Sequence, residues 1–149
     1  MPAARRALRQ TLFGLAAAAG LSAIALAGPA QDYVLNCMGC HGTSAEGVPG
    51  KVPALARTLV QFMRLPAGRS YVLRVPGASN SMLSDAQLAE VLNWIAAHFG
   101  AAQLPASAPL FTAQEVAVQR RTPMVSVQAT RSQVVKDLAA GGSAPDEHY

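Results

Sequence analysis

The segment richest in reactive side chains is Cys37-Met38-Gly39-Cys40-His41, which holds both cysteines of the 149-residue chain. The order C-x-x-C-H is typical of covalent haem attachment. Two thiols three positions apart reach the two vinyl groups of one porphyrin, and the histidine that follows then lies under the ring. The motif therefore predicts one c-type haem with Cys37 and Cys40 as attachment points and His41 as the proximal iron ligand.

Three other kinds of site use cysteines at this spacing. A disulfide redox pair favours a C-x-x-C beside a βαβ pattern, and the sequence shows no convincing strand. Structural zinc needs a fourth ligand and commonly a second cysteine pair, whereas the remaining histidines are His98 and His148. A plain disulfide leaves His41 without a role. Haem attachment is the interpretation that uses all three residues.

The N-terminal residues have the pattern of a secretory signal. Residues 1–9 are basic and residues 12–27 are apolar or small and uncharged, which is the order of the charged and apolar regions of such a signal. The competing interpretation is an uncleaved membrane anchor, but the apolar run is short for a spanning helix. We expect residues 1–27 to be a signal peptide, which indicates a bacterial periplasmic protein.

Cleavage after Ala27 or Ala30 makes the mature chain begin near Gly28 or Gln31. We expect no membrane association once the signal is removed. Covalent haem attachment in bacteria takes place outside the cytoplasm, so the predicted location agrees with the predicted cofactor.

The charge of the chain argues against nucleic-acid binding. The sequence has 12 Lys and Arg against 8 Asp and Glu. Three of the arginines lie in the signal, so the rest of the chain has 9 basic against 8 acidic residues. Clustered basic residues and stacking aromatics are what nucleic-acid binding needs, and aromatic residues make up 5%. A hydrophobic content of 51% also excludes wholesale disorder.

The elements that must position the motif are all predicted to be helical. A short helix over 31–37 precedes the second cysteine, and helical spacing of apolar residues predicts another over 55–65, ended by Pro66. Residues 69–81 are interpreted as mostly loop. The most clearly delimited helix starts with a capping box of Ser84 and Gln87 and stops at Gly100. Its predicted apolar face comprises Leu88, Val91, Leu92, Ile95 and Phe99.

An Ala/Pro linker follows, and then two further helices. Thr112 and Glu115 form a capping box, with Phe111 and Val116 as a hydrophobic staple. Thr122-Pro123 is predicted to cap the second helix. Its apolar stripe is Val127, Val134, Val135 and Leu138, and Gly141-Gly142 ends it. The sequence therefore divides into a signal peptide at 1–27, a haem domain at 28–100 and a helical extension at 101–149 with a frayed tail.

From residue 31 to residue 100 the chain resembles the small class I cytochromes c. The resemblance implies a cytochrome c fold of three to four short helices around one covalently bound haem, here with a two-helix C-terminal extension. It implies that Tyr33 is the aromatic residue one turn before the first cysteine. It also implies that the Pro53 carbonyl accepts a hydrogen bond from the proximal histidine, and that Trp94 packs the last helix against the first.

The resemblance also implies a distal methionine on the loop before the last helix, which is where Met82 lies. Met63 is the other candidate, but it falls on an apolar helical face typical of a core residue. We therefore favour Met82 as the distal ligand. Asn80 and Ser81 are interpreted either as hydrogen-bond donors to the ligand sulfur or a haem propionate, or as ordinary turn residues.

Five basic residues lie in a stretch without acids, between Gly47 and Ser84. They are Lys51, Arg57, Arg64, Arg69 and Arg74. Two interpretations remain open for them: a collar that binds propionates and steers an acidic partner, or solvated surface charge.

These expectations describe an electron carrier rather than an enzyme. Its partners are expected to be redox proteins: a periplasmic dehydrogenase as donor, and a downstream cytochrome or oxidase as acceptor. One alternative is an open-site haem protein that binds a small ligand if Met82 does not coordinate iron. Another is a haem subunit of a larger redox complex. We expect the extension to pack on its own haem domain.

Overall fold

The computed structural model describes residues 28–104, 107–142 and 145. Within these ranges the chain forms eight α-helices. The one β-type pairing in the same ranges is an isolated bridge between Val48 and Val52. The all-α prediction is therefore confirmed. No helix in this part of the chain is long and apolar enough to cross a bilayer. The predicted signal peptide and most of the predicted frayed tail lie outside the described residues.

Two short helices carry the cysteine motif. Helix α1 (Pro29–Asn36) starts with a proline at its first position, where the missing N–H is not needed. Helix α2 (Met38–His41) follows after the single residue Cys37, whose N–H donates to the Tyr33 carbonyl. The motif thus lies at the junction of α1 and α2.

The next three helices correct two predictions from the sequence. Helix α3 (Thr58–Phe62) is shorter than the helix predicted over 55–65. The reason is Arg57, whose φ of 64° is left-handed and cannot continue a right-handed helix.

The prediction of loop over 69–81 is wrong. Helices α4 (Pro66–Arg74) and α5 (Pro76–Ser79) fill most of it. Each starts with a proline at its first position, so Pro66 ends one helix and begins the next. Burial of Tyr71 and Leu73 then stabilises α4 through tertiary contacts.

Helix α6 (Asp85–Phe99) is the longest helix described, and both bonds of its predicted capping box are present. The Gln87 N–H donates to Ser84 Oγ at 3.2 Å, and the Ser84 N–H donates to Gln87 Oε1 at 3.1 Å. Gly100 is the C-cap, as predicted. The face that α6 buries comprises Leu88, Ala89, Val91, Leu92, Ile95 and Ala96.

Aromatic rings join α1 to α6. The Tyr33 ring lies 5.6 Å from the Trp94 ring and 5.3 Å from the Phe99 ring, within the range of favourable aromatic pairs. His98 stacks on the outer side of Trp94 at 4.5 Å. The motif is therefore held against the longest helix by the residue one turn before it.

The extension forms α7 (Ala113–Gln119) and α8 (Val127–Ala140). Thr112 Oγ1 accepts the Glu115 N–H at the start of α7. Phe111 and Val116 are buried in the same core cluster as Tyr33 and Leu92. The extension therefore packs on residues 28–100, as expected, and contributes side chains to their core.

The predicted cap of the second extension helix is wrong. Ser126, not Thr122, caps α8, and its hydroxyl accepts the Ala129 N–H at 3.2 Å. The carbonyls of Thr122 and Pro123 accept hydrogen bonds from Arg74. Because these carbonyls are used for a tertiary contact, the helix begins only after this segment.

Three of the five clustered basic residues hold the extension. Arg64 donates to the Gln103 carbonyl, and Arg69 forms an ion pair with Glu115. Arg74 donates to the carbonyls of Thr122 and Pro123. These three guanidinium groups bind within the chain, so the collar interpretation does not apply to them.

We expect Val116→Ala to lower the free energy of unfolding by about 2 kcal/mol, because it removes two buried methyl groups and leaves a cavity. Val118→Ala is the matched control, since it lies on the same helix with 63% of its surface exposed. Denaturant unfolding of the full chain checks both variants. Equal stability of the two would contradict the packing of α7 in the core.

Candidate functional site

A cavity of about 290 Å³ opens beside the cysteine motif. Cys37, Cys40 and His41 all lie on its wall. Most of the remaining wall is apolar and comes from residues 52–55, from α3, α4 and α6, and from the segment between α4 and α6. These apolar residues include Leu55, Leu59, Phe62, Val72, Val75, Leu83, Leu88, Val91, Leu92 and Ile95.

The orientation of His41 is set by a carbonyl from the following loop. Its Nδ1 lies 2.9 Å from the Pro53 carbonyl oxygen. A carbonyl can only accept, so Nδ1 carries the proton and Nε2 carries the lone pair that binds a metal. The residue pair expected from the resemblance is thus brought together in the structure.

Residues 42–56 fold back so that Pro53 reaches the histidine. The Ala45 carbonyl accepts the N–H groups of Leu55 and Ala56, and the His41 carbonyl accepts the Gly47 N–H. Gly47 has a φ of 68°, and a Cβ there would lie 2.4 Å from the Val52 carbonyl oxygen. Only glycine fits such a close approach of backbone to backbone.

The surroundings of Cys37 favour an uncharged sulfur. Burial, followed by the charges of Asp32 and Cys40, raises the pKa of the Cys37 thiol to about 11. The Asp32 side chain is itself buried. A thioether carries no charge at any pH, so it suits this environment better than a thiolate. Cys40, in contrast, is exposed.

The zinc alternative finds no support in residues 28–104 and 107–142. Among them no three His, Cys, Asp or Glu side chains are grouped so that they could hold a metal ion. The two cysteines and His41 lie on the cavity wall together with the nitrogen-bearing side chains of Asn36, Lys51 and Arg131.

The two methionine candidates both lie off the cavity wall. Met82 is 94% exposed, although its neighbours Ser81 and Leu83 line the cavity. Met63 is buried in the core. Ligation by Met82 therefore requires its side chain to turn from solvent into the cavity, and it stays a prediction. Asn80 is exposed at the surface of the same loop.

Tyr33 and Trp94 lie behind the motif rather than on the cavity wall. The Tyr33 hydroxyl donates to the Gly42 carbonyl, just beyond His41. The aromatic contact between Tyr33 and Trp94 therefore supports the motif from its outer side, and we assign both residues a positioning role.

Two residues of the cavity wall come from the extension and were missed by the sequence analysis. Val127 and Arg131 of α8 line the cavity, and Arg131 is buried with its guanidinium carbon 5.2 Å from the centre of the Phe62 ring. Arg131 follows Val127 by four positions and precedes Val134 by three. An arginine in register with an apolar stripe is the signal that could have indicated its buried role.

Two curated relatives, both from Thermus thermophilus, are named cytochrome c-552. The first is 32% identical over an alignment of 127 positions, gaps included, and the alignment covers 73% of this chain and 84% of the relative. The second is 31% identical over 99 residues, which cover 54% of this chain and 76% of the relative. The chain belongs to the c-type cytochromes. No protein-family model matches it.

As a c-type cytochrome, the protein carries covalently bound haem c and acts as a monohaem electron carrier. The site described above fits this group. It offers two cysteines at the attachment spacing, surroundings that favour neutral sulfur, and a histidine whose Nε2 carries its lone pair. Apolar walls of α3 and α6 complete the cavity.

The similarity to the first relative extends into the extension of this cytochrome. A share of 73% of 149 residues is about 109 residues, which is more than the 100 residues that precede the extension. Part of 101–149 therefore aligns with the relative.

A pH-dependent prediction concerns Tyr33. Burial, with smaller contributions from Cys37 and Glu46, raises the pKa of its phenol above the ordinary value of 10. The neutral phenol's contribution to stability is therefore present below pH 10 and is lost as the pH rises through the folded-state pKa. Burial is the largest cause and does not depend on the state of Cys37.

We expect Tyr33→Phe to weaken the cytochrome by about 1 kcal/mol at pH 7, through loss of the hydrogen bond to Gly42. Above pH 10 the wild-type stability should fall more steeply than that of the variant. Unfolding measured across this range checks the difference, and parallel pH profiles would show that the phenol does not titrate abnormally.

Proposed function

We propose that this cytochrome carries single electrons in the bacterial periplasm, from a periplasmic dehydrogenase to a downstream cytochrome or oxidase. The observation that carries the proposal is the C-x-x-C-H motif on the wall of an apolar cavity, with Cys40 exposed. An attachment point at the protein surface suits transfer to and from partner proteins.

The chain's own residues hold the cofactor in this proposal. Cys37 and Cys40 form the two thioethers, and His41 is the proximal iron ligand, oriented by the Pro53 carbonyl at 2.9 Å. When bound, the haem supplies reversible one-electron chemistry at iron. The apolar side chains around it exclude water, and a dry environment is one means by which a protein sets the reduction potential.

The position of the Met82 side chain decides whether the protein is only an electron carrier or can also bind a small ligand. If the Met82 side chain turned into the cavity, Met82 and His41 would together hold the iron, and the protein would act as a pure electron carrier. With Met82 outside, the distal side is formed by Ser81 and Leu83 and can accept a small ligand. The 94% exposure of Met82 favours this second function, whereas the family membership and the position of Met82 on the loop before α6 favour the first.

Covalent attachment and location are checked together. A periplasmic fraction is run on a denaturing gel and stained for haem-dependent peroxidase activity. We expect a stained band for the wild type, and strong loss of it for Cys37→Ala and Cys40→Ala because a thioether can no longer form at that position. Haem that leaves the wild-type chain on denaturation would disprove attachment, and a stained band confined to the cytoplasm would disprove the location.

The distal ligand is checked with two matched leucine variants. If Met82 binds iron, the ferric protein shows the weak long-wavelength band of sulfur on iron. Met82→Leu then abolishes the band and lowers the reduction potential, while Met63→Leu, a volume-conserving change in the core, keeps both. Absence of the band in the wild type together with carbon monoxide binding by the ferrous form would instead establish the open-site function.

A further inference from the structure

Arg120, at the end of α7, makes a concentrated set of contacts with the loop on the distal side of the cavity. Its Nη1 donates to the Leu83 carbonyl at 2.8 Å, and its Nη2 donates to the Ser81 carbonyl at 2.8 Å. Both Nε and Nη2 lie within hydrogen-bond distance of the Ser79 carbonyl. Nη1 also contacts the Asp85 carboxylate at 3.1 Å. One guanidinium group thus contacts four residues of the 79–85 segment, namely Ser79, Ser81, Leu83 and Asp85.

The loop bound by Arg120 is also held by hydrogen bonds from the Ser81 N–H and hydroxyl to the Ala78 carbonyl and by the burial of Leu83 in the core, but the carbonyls that Arg120 binds are not used by these contacts. Helix α5 ends at Ser79 and α6 begins at Asp85, so the carbonyls of Ser81 and Leu83 lie outside any helix. These are the two residues of the loop that turn inward to line the cavity, while Met82 between them faces solvent. The donors of Arg120 therefore fix which side chains form the distal wall.

Arg120 follows a helix that is anchored in the core. Val116, one turn earlier, is fully buried, and the Asn93 side chain binds both the N–H and the carbonyl of Phe111. The Arg120 side chain is 12% exposed, so its charge-assisted hydrogen bonds are weakly screened. Its neighbour Arg121 is 77% exposed and reaches Asp85 at 3.8 Å.

We propose that Arg120 is a positioning residue that keeps the 79–85 loop closed over the distal side of the haem, so that the extension controls the access of external ligands to iron. The inference rests on haem occupying the cavity with His41 as its proximal ligand, which the haem stain tests separately. It holds for either state of Met82, because a loop that carries a bound methionine and a loop that only covers the iron must both open before an external ligand binds.

The test is the binding of imidazole to the ferric holoprotein, followed by stopped-flow absorbance. We expect Arg120→Ala to raise the observed association rate at least about tenfold, which corresponds to about 1.4 kcal/mol in the opening of the loop. Arg121→Ala is the matched control, since it removes the same charge next to the same carboxylate without touching the carbonyls. Its rate should equal that of the wild type.

Two further variants keep the test decisive. Arg120→Lys retains the charge but not the planar set of donors, so it should fall between the wild type and Arg120→Ala. If Arg120→Ala does not yield holoprotein, the imidazole association rate is measured on Arg120→Lys instead. Asp85→Asn keeps the carbonyl contacts and should change the rate less than Arg120→Ala. Wild-type rates in Arg120→Ala, or in Arg120→Lys where only that variant folds, would overturn the proposal, as would an equal increase in Arg121→Ala.

Discussion

The packing of Tyr33 against Trp94 and Phe99 is the interaction on which the site depends. Helices α1 and α2 have eight and four residues, and helices of that length do not persist alone in water. They gain their stability from α6, through a tyrosine that also donates to the Gly42 carbonyl on the far side of the motif. The cysteines and His41 are thereby held between two contacts made by one side chain.

The extension is a structural part of the haem domain. Its Phe111 and Val116 belong to the main core, while Val127 and Arg131 close one side of the cavity. Two arginines join the extension to the rest of the chain. Arg69 forms an ion pair with Glu115 of the extension, and Arg120 of the extension donates to the Ser81 carbonyl in the 79–85 loop. The core and the cofactor cavity are therefore both incomplete without residues from beyond Gly100.

Features set by neighbouring residues could be predicted from the sequence, whereas those set by distant residues could not. The capping box at Ser84 and the cysteine motif are local patterns, and the structure contains both. The helix at Pro66 was missed because a proline marks the end of one helix and the start of another equally well. The direction of the Met82 side chain and the role of Arg120 depend on contacts about 40 positions apart in the chain, for which periodicity and capping give no signal.

The sequence separation of these contacts has a consequence for the order of events during biogenesis. Tyr33 and Trp94 are 61 positions apart, and Arg120 lies 41 positions after Ser79. Contacts between residues so far apart form slowly, because closing a long loop costs entropy, whereas the cysteine motif lies within five consecutive residues. We therefore expect the two thiols to be accessible to the attachment reaction before the long-range contacts close, so that helices α6 and α8 would enclose a cofactor that is already bound.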